Sequence, residues 1–76
     1  MIIVDGNIIN NLKEAYIWLR EAWQDEPYNM WFEEFGQKDS DWYGEYIFIE
    51  PVRGYDDLGG WTICSLEDFE NFIKNN

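Results

Sequence analysis

An α+β domain is predicted from three features of the chain. Short β-branched and aromatic runs are cut off by Gly, Pro and Asp. Other segments carry apolar residues at helical spacing, and the two kinds of element do not alternate regularly. The expected order is β-α-α-β-β-α, with helices packed on a short, mostly antiparallel sheet, in one domain spanning residues 1–76.

Ile2, Ile3 and Val4 form a brief β-branched run that Asp5-Gly6-Asn7 interrupts, so a strand ending in a turn is expected. Asn11 is placed to cap a first helix, with Glu14 three residues on reaching back as in a capping box. At 100° per residue Leu12, Ala15, Tyr16, Leu19, Ala22 and Trp23 fall on one face, which should be core; Ile17 and Trp18 lie off that stripe. Pro27 suits the start of a second helix and Gly36 its stop. Between them Tyr28, Trp31, Phe32 and Phe35 follow the helical rule, with Glu33 and Glu34 pointing away. Trp31 is therefore expected in the core.

Tyr46 to Ile49 reads as a strand before Pro51, residues 53–60 as a loop, and Trp61 to Cys64 as a partner strand. Ser65, with Asp68 three residues on, caps a last helix whose apolar face is Leu66, Phe69, Phe72 and Ile73.

Charge is the strongest compositional signal. Sixteen Asp and Glu stand against five Lys and Arg, a formal net charge of −11, on a chain that also carries five Trp, five Tyr and five Phe. Disordered acidic tails lack such apolar bulk, so this is a folded anion. Useful solubility needs a net charge of only about 2 to 8 on a small domain, and the excess repels itself unless a cationic partner meets it. A folded chain of this length buries only about 60% of its unfolded surface. Fifteen aromatic side chains exceed what so small a core hides, and some should lie at an interface.

Cys64 stands alone, which points to a reducing compartment and to a small core residue. Neither a signal peptide nor a membrane span is legible, so a cytoplasmic protein is expected, and anionic lipid, DNA and RNA should all repel it. Histidine is absent, no Ser sits in a nucleophile elbow, and acids are too abundant for any pair to mark a glycosidase; no enzyme activity and no cofactor are expected. Asp39, Asp41, Gly44 and Glu50 match the first, third, sixth and twelfth positions of an EF-hand calcium loop. Tyr43 is a poor fifth-position ligand, and a strand ending in Pro51 stands where an exiting helix belongs, so any binding there should be weak.

Carboxylates spaced along a helix are on the scale of phosphates along a nucleic-acid strand: Glu14 to Glu21 rises ~10 Å and Glu21 to Asp25 ~6 Å. Asp25, Glu26, Glu33 and Glu34 continue the charge around a helical corner, and Asp39, Asp41, Asp56 and Asp57 add it on loops, so that together they coat one side. Trp18, Met30, Trp42, Tyr43 and Tyr55, off the stripes or in loops, are the candidate anchors. In size, charge and compartment the chain resembles the small acidic inhibitors of phages and other mobile elements, including DNA-mimic anti-restriction and anti-CRISPR proteins. Its opening, Ile2 to Leu19, is also similar to the strand-turn-helix of the barstar family.

The charge and the candidate anchors, with this resemblance in size, charge and compartment, lead to the expectation of a non-enzymatic inhibitor, monomeric or homodimeric, acting in the cytoplasm (the host's, for a phage-encoded chain). Its partner would be a basic nucleic-acid-binding protein, a nuclease or CRISPR effector, with no direct contact to nucleic acid or membrane. An immunity protein or antitoxin against a basic nuclease toxin shares that mechanism. An adaptor domain with incidental acidity does not.

Overall fold

A computed structural model describes residues 1–38 and 41–75. In chain order it has β1 (Ile2–Val4), β2 (Asn7–Ile9), α1 (Leu12–Ala22), β3 (Tyr28–Phe35), β4 (Gly44–Pro51), a 3-10 turn (Asp56–Leu58), β5 (Trp61–Ile63) and α2 (Leu66–Asn75). The α+β class is as expected, and every strand pairing is antiparallel.

The opening is a hairpin where a single strand was expected. Asp5 and Gly6 both adopt positive φ, 49° and 82°, as the two central residues of a type I′ turn must. That turn folds Asn7–Ile9 back on Ile2–Val4, pairing Ile3 with Ile8. The hairpin also removes the likeness to a barstar-type opening, because a second strand stands between the first strand and the helix.

Helix α1 begins as its sequence dictates. The Glu14 N–H donates to Asn11 Oδ1 at 2.9 Å, and the Asn10 N–H donates to Glu14 Oε2 at 2.7 Å. Leu12, Ala15 and Leu19 are buried, while Ala22 at its end is exposed and Ile17 is 52% exposed. Replacing Asn11 by Ala is expected to cost about 0.5–2 kcal/mol, read as a lower urea midpoint; an unchanged midpoint would contradict the cap. Helix α2 starts in the same way, the Asp68 N–H donating to Ser65 Oγ at 3.1 Å.

The segment expected as a second helix is strand β3. Tyr28–Phe35 pairs along its whole length with β4, from Tyr28 opposite Pro51 to Phe35 opposite Gly44. Successive strand side chains point to opposite faces. Tyr28, Met30 and Phe32 therefore pack on the core, whereas Trp31 and Phe35 point away from it. Aromatic and β-branched side chains favour such a pleated surface. Strand β4 pairs on its other side with β5, Ile47 opposite Ile63 and Ile49 opposite Trp61, giving the sheet order β3-β4-β5.

Both helices lie on the face of Ile47, Ile49 and Ile63. The core there also takes Val4 and Ile9 of the hairpin, with Leu19, Phe69 and Phe72 of the helices. Trp23, Tyr28, Trp61 and Phe72 close a ring of four aromatic contacts at 5.1–5.5 Å, and Trp18 meets Phe69 edge-on at 5.8 Å. The molecule measures 35 × 31 × 18 Å. A helix about 10–12 Å across laid on one sheet fills the shortest dimension, so the other face of the sheet has no helix over it.

Candidate functional site

The uncovered face of the sheet carries an aromatic cluster. Trp31 stacks on its cross-strand partner Phe48 with ring centroids 5.3 Å apart and planes 20° from parallel. Tyr46, two residues along β4, stacks on Phe48 at 5.9 Å, and Phe35 meets Tyr46 edge-on at 5.5 Å. Trp42, just before β4, closes the cluster with contacts of 5.2 Å to Tyr46, 5.8 Å to Phe48 and 6.2 Å to Phe35. None of the five rings is buried. They cover one another and leave the outer faces of the group to solvent. Trp31 and Phe35 escape notice as surface residues because the strand periodicity that turns them outward is hidden by apolar residues on both faces of β3, and Tyr46 and Phe48 because their strand is apolar on both faces too, with Ile47 and Ile49 between and beyond them.

Acid rims this surface. Glu33 shares the outer face of β3 with Trp31 and Phe35, and Glu50 shares that of β4 with Phe48. Glu33 faces Tyr46, four residues from Glu50, which places the two carboxylates roughly 13 Å apart along the strands at about 3.3 Å per residue. At the far end of the sheet Glu34 and Glu45 are direct partners on the other face, that of Phe32 and Ile47, a like-charge pairing that is unfavourable. The three strands carry four Glu and no Lys or Arg. Among the described residues the carboxylate–ammonium pair is Lys74 with Glu70, 3.7 Å apart on the surface of α2. Arg20 lies over the Tyr16 ring at 5.6 Å.

The other expected site residues scatter. Glu14 and Glu21 are on α1, on the opposite side of the sheet from Glu33, so the acids do not coat one side. Glu14 is also occupied in the cap of its helix. Helix α1 stops at Ala22, so Asp25 and Glu26 stand in the turn beyond it and the expected ~6 Å helical step from Glu21 to Asp25 does not exist. Asp56 and Asp57 form the exposed 3-10 turn, and Asp41 is exposed before β4. Trp42, Tyr43 and Tyr55 are 47%, 50% and 49% exposed, as anchors should be. Trp18 and Met30, by contrast, pack against the core.

Asp39 lies outside the described residues. The calcium-loop spacing that includes it does not form a loop, because Gly44 and Glu50 lie in one extended strand, about 20 Å apart.

Cys64 is exposed and not a core residue, since the inward alternation of β5 ends at Ile63 and the next side chain turns out. Its thiol donates to Asp68 Oδ2 at 3.0 Å, and its N–H reaches the same oxygen at 3.4 Å. The hydrogen bond to Asp68, then burial, then the charge of that carboxylate hold the thiol above its usual pKa. The thiol's bond in turn holds Asp68 below the ordinary carboxylate range; partial burial opposes this, and the Cys64 N–H and Ser65 assist it.

Two consequences follow for pH. Asp68 contributes stability above the ordinary carboxylate pKa, lost as pH falls through its lower folded value; Cys64 contributes below the ordinary thiol pKa, lost as pH rises through its higher one. Iodoacetamide should therefore alkylate Cys64 more slowly at pH ~8.5 than an unstructured thiol of ordinary pKa. Asp68→Asn should move the rate profile to lower pH, and superimposable profiles would contradict the pairing.

Fold and surface together define a two-layer α+β domain with an open, acid-rimmed aromatic sheet face. No family model matches the chain, and no curated protein or solved structure matches it. Among the described residues no helix is long and apolar enough to cross a membrane.

Proposed function

We propose that this chain is a non-enzymatic acidic inhibitor that occupies the basic nucleic-acid-binding surface of a partner protein, in the manner of a DNA mimic. The observation that carries the reading is uncompensated charge: sixteen carboxylates meet five cations, and three of those cations, Lys13, Arg20 and Lys74, sit on the helices. A surface of that kind steers fast association with a cationic cleft and offers acceptors for charge-assisted hydrogen bonds from Arg.

Exposed rings at Trp42, Tyr43 and Tyr55 support the reading, because charge alone gives a complex that salt dissolves, and aromatic anchors hold one that persists. Nuclease, CRISPR effector and nuclease toxin are the partner classes that such a surface fits.

The test is competition. Protein immobilised through its C-terminus should retain a basic protein from a bacterial lysate, and duplex DNA added to the column should release it. A retained protein that DNA fails to displace would contradict occupation of a nucleic-acid site.

A further inference from the structure

We infer that the contact surface is the aromatic outer face of β3 and β4, and that it is built for guanidinium groups: Arg side chains of the partner lie on the Trp31–Phe48 stack while Glu33 and Glu50 accept their N–H groups. This rests on the proposed function and specifies the surface and the chemistry that it leaves open. Three properties lead there.

The face is flat and aromatic. Its stacked pair, 5.3 Å between centroids, presents π-surface on which a planar cation packs, and Arg stacks on such rings better than the compact, strongly hydrated ammonium of Lys.

The carboxylates stand beside the rings, not apart from them. Glu33 follows Trp31 by two residues on the same face of β3, and Glu50 follows Phe48 by two on the same face of β4. A guanidinium over the rings thus has a carboxylate within side-chain reach on either side, the arrangement that allows bidentate hydrogen bonds.

The charge selects the occupant. A second copy of this chain would set one −11 body, acid rim against acid rim, on another. Single-stranded nucleic acid stacks on aromatic sheets of this shape, but such platforms carry Lys and Arg to follow the phosphates. These strands carry Glu and neither cation. A cationic protein surface is complementary on both counts.

The test uses the full chain with nona-arginine, nona-lysine and an oligo(dT) of similar length as probes, followed by tryptophan fluorescence at low salt. Nona-arginine should bind roughly ten-fold more tightly than nona-lysine, the scale of about two guanidinium–ring contacts. Trp31→Leu, which keeps apolar bulk and removes the π-surface, should abolish that preference. If the variant loses its fold, as read by circular dichroism, amide and indole shift changes in the wild-type chain serve instead and should centre on residues 31–35 and 46–50.

Equal affinity for the two peptides, or shifts centred on the helices, would overturn the guanidinium surface and leave the charge-led inhibitor reading standing. Oligo(dT) binding more tightly than nona-arginine would overturn it in favour of a nucleic-acid platform. DNA failing to displace a captured partner removes the inhibitor reading whatever the peptides do.

Discussion

Phe69→Ala is expected to lower stability by about 3–5 kcal/mol, the range for truncating a buried aromatic. Phe69 is fully buried at the centre of the core, between the helices and the sheet, with its ring edge-on to Trp18. Removal leaves a cavity that neighbours fixed in two helices and a hairpin close only in part. At roughly 0.05–0.15 kcal/mol per residue a domain of 76 residues has about 4–11 kcal/mol in total, so this one change consumes about a quarter of it or more. The melting temperature should fall by well over ~10 °C, at about 4–8 °C per kcal/mol for a domain of this size.

Trp31→Ala is the internal control. The larger ring leaves no hole in the core, because it points to the open face, and its loss should cost little beyond the stacked pair with Phe48, about 0.5–1.5 kcal/mol. Equal costs for the two variants would mean that both faces of the sheet are core.

Glu33→Lys combined with Glu50→Lys is expected to produce the largest loss of partner binding of any surface change. In the proposed docking mode each reversal replaces an acceptor by a second cation next to the rings on which the partner's guanidinium groups would lie. Breaking a desolvated charge pair costs about 2–5 kcal/mol, so the double variant should bind at least ~100-fold more weakly. Both side chains are exposed, and the melting temperature should stay near that of the parent chain. The matched reversal on the helix layer, Glu21→Lys with Glu67→Lys, removes the same net charge from elsewhere. It should slow association and shift the salt dependence with a far smaller loss. If the two double variants lose equally, net charge governs binding and the aromatic face has no special part.

How far the sequence alone reached follows from which physical signals are local. Both helix starts were legible because a cap is a contact over three residues: Asn11 with Glu14, and Ser65 with Asp68. The buried stripe of α1 was legible because Leu12, Ala15 and Leu19 recur at helical spacing, with charged Glu14 and Glu21 on the other side and only Ile17 and Trp18 off the stripe. Strand β3 was not. Its apolar residues occupy both faces, Tyr28, Met30 and Phe32 inside and Trp31 and Phe35 outside, and that density satisfies helical spacing as readily as strand alternation.

The candidate site depends on β3 being a strand. As a helix, the segment sends Trp31 and Phe35 into the core with Phe32; as a strand, it sends them to the opposite face, where they meet Tyr46 and Phe48 of a partner strand eleven or more residues away. Loop aromatics such as Trp42 and Tyr55 needed no such pairing to be seen as exposed. The acids were visible as composition, but their placement on opposite sides of the sheet depends on tertiary structure. The Asp5-Gly6 pair, a strong short-range hairpin signal, was the one local cue for β2.

Docking of a cationic partner on the outer face of β3 and β4 is the proposal on which the binding predictions rest. It is tested by a map of backbone-amide and indole shift changes in the isotope-labelled chain on adding a basic protein retained from lysate and released by DNA. Changes should concentrate on residues 31–35 and 46–50 and on the indoles of Trp31 and Trp42, with α1 and α2 nearly silent. Changes concentrated on α1 and α2, with the sheet unperturbed, would contradict it.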